Sequence, residues 1–221
     1  MGKTRASGRQ YIFALFGVVA PILYAATVII LGLLWSVYNP FSQVVSELGA
    51  VGAPHAPILG ASFVAVGLLL VGFALGLHLG IPAGRTSYVA PLLIAIFGSA
   101  IVAQSFFPCP PGCVDDGSFT AAMHGLTGLI GFIAIVFAPF FLFWRLKAGE
   151  AWKTYASLSL AVGLATPAGF VVSLLSDQLG LTEWIGALQR LRFGIVFLWI
   201  LLLALRLLSL SRPPSSSAQS A

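Results

Sequence analysis

The chain has 221 residues, of which 59% are hydrophobic and only 8% are charged. Soluble domains of this size carry about a quarter charged residues, so a mean hydropathy of +1.02 indicates an integral membrane protein and argues against a large soluble catalytic domain. The net charge of +5 does not indicate a nucleic-acid partner, because the basic residues lie at the ends of apolar segments and not in one patch.

Six apolar segments account for nearly the whole chain, each close to the roughly 20 residues that a membrane-spanning helix needs. A polar segment, residues 1–10, precedes them, and a low-complexity tail, residues 209–221, is expected to be disordered. The sequence therefore predicts an all-α fold, an integral membrane six-helix bundle that forms one domain over residues 11–208. The predicted helices span residues 11–37, 57–79, 88–107, 119–143, 154–175 and 184–208.

The orientation follows from the basic residues. An even number of helices places both termini on one side, and basic residues concentrate on the cytoplasmic side of a membrane. We therefore expect both termini to be cytoplasmic, in a multi-pass protein of the cell membrane. Only Arg190 and Arg192 fall on the outer side, whereas the terminal side has Lys3, Arg5, Arg9, Arg85, Arg145, Lys147, Lys153, Arg206 and Arg212.

Polar side chains concentrate in the three loops that this topology places outside. Since all three outer loops contribute, the sequence predicts an outward-facing polar pocket at the mouth of the bundle. The residues that would surround it are Glu47, His55, Asp115, Asp116, His124, Asp177, Gln189 and Arg190.

Arg190 is the most informative of these residues, since it lies about two turns into the last helix. A cation at that depth is costly unless it is paired or hydrated, and it is a candidate for function by default. Arg190 is either the anion anchor of the pocket or half of a structural ion pair, with Glu47 or Asp177 as its expected partner. Arg192 faces another direction and is expected to reach the lipid headgroups. The other residues assigned to ligand binding are Gln189, Ser46, His55 and Asp177.

His124, early in the fourth helix, could be a general base, a metal ligand or a hydrogen-bonded core residue. As a base it would be assisted by Glu47, Asp115 or Asp116. Together with His55 and an aspartate it could hold zinc with an open position. No local spacing such as His-x-x-x-His supports that set, so we expect no cofactor and retain zinc as the alternative.

Two further patterns indicate structure. Cys109 and Cys113 flank Pro-Pro-Gly in an outer loop, which favours a disulfide over a reactive thiol pair. Gly72, Gly76 and Gly80 are spaced four apart in the second helix, which lets another backbone approach closely. That neighbour is either another helix of this chain or a membrane-protein partner.

Four short motifs appear in a fixed order along the chain. They are Tyr38-Asn-Pro, Ser46-Glu-Leu-Gly-Ala, Phe107-Pro-Cys followed by His124-Gly, and Leu188-Gln-Arg. Over residues 10–208 the sequence resembles the DUF998 family of prokaryotic multi-pass membrane proteins. The resemblance implies a six-helix bundle and no established activity.

Three functions remain open at this point. The first is a non-enzymatic binding or transport-related protein whose pocket holds a lipid headgroup or another small anionic ligand. The second is an outer-leaflet lipid hydrolase that uses His124. The third is an assembly partner of another membrane protein.

Overall fold

A computed structural model describes residues 8–81 and 87–211, and this part of the chain is helical and contains no strand. Six of its helices are long and apolar enough to cross a membrane, so the predicted all-α six-helix bundle is confirmed. They are α1 (Gly8–Leu34), α2 (Ala56–Gly80), α3 (Val89–Phe106), α4 (Phe119–Leu146), α5 (Lys153–Leu174) and α6 (Ile185–Ser211).

The helix ends follow local sequence signals. Pro57 lies in the first turn of α2, where its missing N–H costs nothing. Ser118 caps α4, since its hydroxyl accepts a hydrogen bond from the Ala121 N–H at 3.1 Å. The last helix continues to Ser211, beyond the expected end at residue 208. The N-terminal segment up to residue 7, Arg85 and the tail from residue 212 lie outside the described residues.

The helices form a closed ring, because each packs against the next in sequence and α6 returns to α1. The ring interior is apolar and tightly filled at one end, where α2, α4 and α6 meet. Fully buried side chains there include Leu77, Leu142, Leu146, Leu203 and Leu207.

Glycines set the closest helix contacts. A Cβ added at Gly76 would lie 2.8 Å from Phe13 Cβ, and one added at Gly72 would overlap the Phe16 ring. The glycine stripe of α2 therefore packs mainly against α1 of the same chain. At the crossing of α2 and α3, a Cβ added at Gly98 would lie 2.6 Å from the carbonyl oxygen of Gly67.

Three loops meet at one end of the bundle, which we name the acidic end: loop 1 (residues 35–55), loop 2 (residues 107–118) and loop 3 (residues 175–184). Loop 1 contains a short 3-10 helix, Val45–Gly49. The opposite end we name the basic end, since Arg145, Lys147, Lys153 and Arg206 lie there.

Candidate functional site

Loop 1 folds over the start of α6 and is held there by Arg190. The Nη1 atom of Arg190 lies 2.7 Å from the carbonyl oxygens of both Pro40 and Gln43, and 3.0 Å from the carbonyl oxygen of Gly186. Its Nη2 atom donates to the Tyr38 hydroxyl. One guanidinium therefore joins two segments of the chain, because its fixed fork presents several donors at once.

Gly186 allows the loop backbone to come this close. A Cβ at this position would lie 2.8 Å from the Pro40 oxygen and from the Gln43 carbonyl carbon. Both of those are backbone atoms, which cannot rotate away. The contact is completed by the Ala187 N–H, which donates to the Phe41 carbonyl at 2.9 Å.

Glu47 and Gln189 bind the backbone at the start of the short 3-10 helix. Glu47 accepts hydrogen bonds from the Gln43 side chain at 2.7 Å and from the Val44 N–H at 3.0 Å. The Gln189 side-chain oxygen accepts from the Val45 N–H at 2.6 Å. These bonds satisfy N–H groups that a helix start otherwise leaves unpaired. We name Tyr38, Gln43, Glu47, Gln189 and Arg190 the docking cluster.

The predicted ion pair of Arg190 with Glu47 or Asp177 is wrong. The hydrogen-bond partners of Arg190 are carbonyl oxygens and a hydroxyl, and neither carboxylate is among them. Asp177 accepts instead from the Thr182 hydroxyl at 3.1 Å in loop 3, where it is exposed. Neutral acceptors therefore hold the guanidinium where a carboxylate was expected.

Tyr38 is the most deeply buried member of the docking cluster, with 6% of its surface exposed. Burial raises the pKa of its hydroxyl, although the neighbouring Arg190 acts in the opposite direction. The hydroxyl therefore keeps its proton and donates to the Val44 carbonyl at 3.0 Å while accepting from Arg190.

In loop 2, Cys109 and Cys113 form the predicted disulfide, with their Cα atoms 5.0 Å apart. Gly112, with φ of 67°, makes the turn between them. Loop 2 is also tied to loop 1, because the Val51 N–H donates to the Cys109 carbonyl at 3.0 Å. The disulfide therefore fixes the shape of a loop on which loop 1 rests.

Removal of this disulfide is expected to have a modest effect. The ring is short, so the lost loop-closure entropy amounts to ~2 kcal/mol at most. We expect dithiothreitol to lower the Tm of the wild-type protein in detergent by a few degrees. The Cys109→Ser/Cys113→Ser variant is the control and should not respond to the reductant. An equal response of both proteins would contradict the prediction.

Asp115 and Asp116 serve loop 2 itself. Asp115 accepts from the Gly117 N–H at 2.9 Å, and Asp116 accepts from the Ser118 N–H at 3.0 Å. Hydrogen bonds from Ser118 hold the pKa of Asp116 below its usual range. Both carboxyl groups are exposed, and their hydrogen bonds are made within loop 2 and not to His124.

A cavity of about 230 Å³ lies inside the ring, toward the acidic end. We name it the central cavity. All six helices contribute to its wall, together with the short 3-10 helix of loop 1. Its polar lining consists of Tyr24, Ser46, Gln104, His124, Thr127, Thr166, Gln189 and Arg192, and its aromatic lining of Phe63, Phe97, Phe132, Phe170, Phe193 and Phe197.

Arg192 lines the central cavity instead of reaching the headgroups, which corrects the sequence-based expectation. Its guanidinium carbon lies 5.4 Å from the Phe170 ring centroid and 6.0 Å from that of Phe132, within the range of cation–π attraction. Its hydrogen-bond partner is the Ser173 hydroxyl, at 3.4 Å. Within the described residues, Arg192 has no carboxylate partner.

Helical spacing could have placed Arg192 correctly. Gln189 and Arg192 are three residues apart and therefore share one face of α6. A polar face inside the bundle is the expected position for such a pair. Arg190, one residue after Gln189, points toward loop 1 instead.

His124 lies between two cavities. Its Nδ1 atom is 2.8 Å from the Phe107 carbonyl oxygen, and since a carbonyl only accepts, Nδ1 holds the proton and Nε2 is left as an acceptor. His124, Ser46, Phe63 and Gln104 line both the central cavity and a second cavity of about 410 Å³. We name the second one the end cavity, since loops 1 and 2 form much of its wall.

The remaining histidines are not brought to this site. His55 precedes the first turn of α2 and lines neither cavity. His78 is exposed in the last turn of α2, near the basic end. Over residues 8–81 and 87–211, no three His, Cys, Asp or Glu side chains are grouped as a metal site requires. The zinc set of His124, His55 and an aspartate is therefore not assembled in this structure.

Comparison with known proteins gives one match. No curated protein and no solved structure matches the chain. The model of the family described as "Protein of unknown function (DUF998)" matches residues 18–206. That range contains α2 to α5 completely, loops 1 to 3 and every residue of the docking cluster. The chain is therefore a multi-pass membrane protein that belongs to the DUF998 family.

Proposed function

We propose that this protein binds an anionic group in its central cavity, with Arg192 as the cation that attracts it. The group is either the headgroup of a lipid or a small free anion. The observation that carries the proposal is that Arg192 faces the central cavity with aromatic rings and one hydroxyl as neighbours. A cation inside a membrane protein is costly without a counter-charge, and a bound anion would supply one.

The rest of the cavity wall suits such a ligand. Gln189 accepts from the Val45 N–H, which leaves its side-chain NH₂ as a donor, and Thr127 and Gln104 supply further polar groups. The aromatic rings of the wall lower the local polarity around the guanidinium, which strengthens its attraction to an anion. The volume of about 230 Å³ is below the range of drug-sized pockets, so it suits a headgroup or a small molecule and not a whole phospholipid.

Binding is supported better than transport. A transported ligand would have to leave through the basic end, where Leu77, Leu142 and Leu207 are fully buried and fill the interior. Toward the acidic end, the central cavity and the end cavity share four lining residues, which are Ser46, Phe63, Gln104 and His124. We therefore propose that the ligand enters through the end cavity.

We also propose that the acidic end faces outward in the cell membrane and that both termini are cytoplasmic. The excess of basic residues at the basic end supports this orientation. The disulfide in loop 2 supports it independently, because disulfides persist in oxidising compartments.

Native mass spectrometry of gently solubilised protein tests the proposal. We expect the wild-type protein to carry an anionic species that is missing from the Arg192→Gln variant, apart from any lipid that both proteins hold outside the central cavity. The Arg206→Gln variant is the control, because Arg206 donates to the Ala151 carbonyl at the basic end. This variant should retain the species. Retention by Arg192→Gln would contradict the proposal.

A calorimetric titration then identifies the source of the anionic group. Delipidated wild-type protein is titrated with inorganic phosphate and, separately, with water-soluble dihexanoyl phosphatidylglycerol. Binding of phosphate alone indicates a free anion, whereas binding of the short lipid alone indicates a headgroup. An affinity of Arg192→Gln equal to that of the wild type for both probes would contradict the role of Arg192.

The alternative function is an outer-leaflet hydrolase with His124 as general base. The observation that favours it is the position of His124 between the two cavities, with Nδ1 held by Phe107 and Nε2 available to accept a proton. The carboxylates expected to assist do not line either cavity. A water molecule activated by His124 alone would have to be the nucleophile.

The His124→Asn variant tests this alternative. The asparagine amide can still donate a hydrogen bond to the Phe107 carbonyl, but it cannot act as a base. If His124 is catalytic, hydrolysis of short-chain phospholipids or esters should fall by about 10²–10⁴-fold. Binding of the anion and the Tm should change little. Absence of any hydrolysis by the wild-type protein would contradict the alternative.

A further inference from the structure

We propose a second ligand site on this protein, in the groove between α1 and α6, which holds one anionic phospholipid of the leaflet at the acidic end. The groove has a volume of about 750 Å³ and is separate from the central cavity. Tyr24 and Phe197 line both spaces and stack at 4.2 Å, so these two rings form the wall between them.

The groove has the length of one acyl chain. On α1 its lining runs from Leu33 to Pro21, which at 1.5 Å per residue is about 18 Å. Half of a hydrocarbon core is about 15 Å, so the groove covers one leaflet. Trp35 and Tyr38 line its end nearest loop 1 and stack on each other at 5.5 Å. Aromatic residues at this level are typical of the membrane interface.

The cation at the top of the groove decides which lipid fits. Arg190 lines this end of the groove, and all its hydrogen-bond acceptors are neutral groups. Its positive charge is therefore not cancelled by the docking cluster bonds, and its Nε–H remains a donor. A phosphate beside Arg190 and an acyl chain along the groove below would satisfy the charge and the apolar wall together.

Two glycines make the groove concave. A Cβ added at Gly194 would meet no atom within 4 Å, and one added at Gly32 would meet only the Tyr38 ring, at 3.5 Å. At the contact between α1 and α2, by contrast, side chains of the neighbouring helix fill the space beside the glycines, such as Phe16 beside Gly72. Among residues 8–81 and 87–211, no atom comes within 4 Å of a Cβ added at Gly194, which leaves room for a lipid chain.

Filling this space tests the inference. The Gly194→Phe variant adds a ring at a position in the groove where a Cβ meets nothing within 4 Å. Gly125→Phe is the matched control, since a Cβ at Gly125 also meets nothing within 4 Å and Gly125 lines none of the three cavities. Native mass spectrometry would measure the retention of phosphatidylglycerol and of phosphatidylcholine with the same acyl chains. We expect the wild-type and Gly125→Phe proteins to retain one phosphatidylglycerol in preference to phosphatidylcholine, and Gly194→Phe to lose at least tenfold in retention.

Equal retention by Gly194→Phe and Gly125→Phe would overturn the inference, and so would equal retention of the two lipids by the wild type. If Gly194→Phe does not fold, Leu198→Trp is the second variant, since Leu198 lines the same groove and is 55% exposed. The outcome does not depend on the central cavity: Arg192→Gln should keep the phosphatidylglycerol, and Gly194→Phe should keep the species bound through Arg192.

Discussion

Replacing Arg190 with alanine is expected to lower the free energy of unfolding by about 3 kcal/mol or more, which corresponds to roughly 6–12 °C in Tm. The variant would remove the donor shared by the Pro40 and Gln43 carbonyls and the Tyr38 hydroxyl. The Gln43 carbonyl and the Tyr38 hydroxyl are partly buried, so they keep the cost of desolvation when they lose their donor. Thermal unfolding in detergent measures the effect.

Arg192→Gln is the matched control for this prediction, since it removes a cation two residues further along the same helix. We expect its Tm to stay within a few degrees of the wild type, because the one hydrogen bond of Arg192 is long, at 3.4 Å. For binding of the anion in the central cavity, the order of the two variants should be reversed: Arg192→Gln should lose more binding than Arg190→Ala. A stable Arg190→Ala variant would show that loop 1 does not depend on the docking cluster.

Replacing Gly98 with valine is expected to have the other large effect. Its Cβ would lie 2.6 Å from the Gly67 carbonyl oxygen and 3.0 Å from Leu70 Cβ. Neither atom can rotate away, so α2 and α3 would have to separate. Overpacking usually costs about 1–3 kcal/mol and occasionally more, and we expect the upper end here because close packing is the main force between helices in a membrane.

Gly125→Val is the control for this change, since the space around Gly125 is open. Both variants add the same side chain to a transmembrane helix and so share any effect on helix propensity. The yield of monodisperse protein and the Tm in detergent would compare them. A Gly98→Val protein as stable as Gly125→Val would mean that the crossing of α2 and α3 is not tightly packed.

The fold could be predicted from the sequence because its signals are local. Runs of apolar residues defined six helices, Pro57 and Ser118 marked the starts of two of them, and the spacing of Cys109 and Cys113 indicated a disulfide. These features depend on residues close together in the chain. The last helix ends at Ser211 instead of residue 208, because the stop signal in the sequence is the pair Pro213-Pro214 and no helix breaker precedes it.

The candidate site was harder to predict because its partners are backbone atoms. Arg190 binds the carbonyls of Pro40 and Gln43, and every residue has a carbonyl, so no sequence pattern identifies them. Glu47 and Asp177 were the expected partners because carboxylates can be recognised in a sequence, but Glu47 accepts from Val44 and Gln43 and Asp177 accepts from Thr182. The motifs Tyr38-Asn-Pro, Ser46-Glu-Leu-Gly and Leu188-Gln-Arg indicated the right region, and each contains a residue of the docking cluster.

The central cation was missed for a different reason. Arg190 and Arg192 are both near the start of α6, and depth alone does not distinguish them. Their roles depend on the rotation of α6 about its axis, which the sequence indicates only through the spacing of Gln189 and Arg192 on one face. Gln189 fixes that rotation in the structure, since it binds loop 1 and lines the central cavity at the same time.

The contact between Arg190 and Pro40 joins residues 150 positions apart in the chain. The ribosome synthesises the helices in order, from the N-terminus, so loop 1 is complete long before its partner on α6 is made. While the next four helices, α2 to α5, are synthesised, the Pro40 and Gln43 carbonyls have no guanidinium to bind. The central cavity acquires its last wall only when α6 is inserted, and a nascent chain that stops before α6 lacks both the closed ring and the cation.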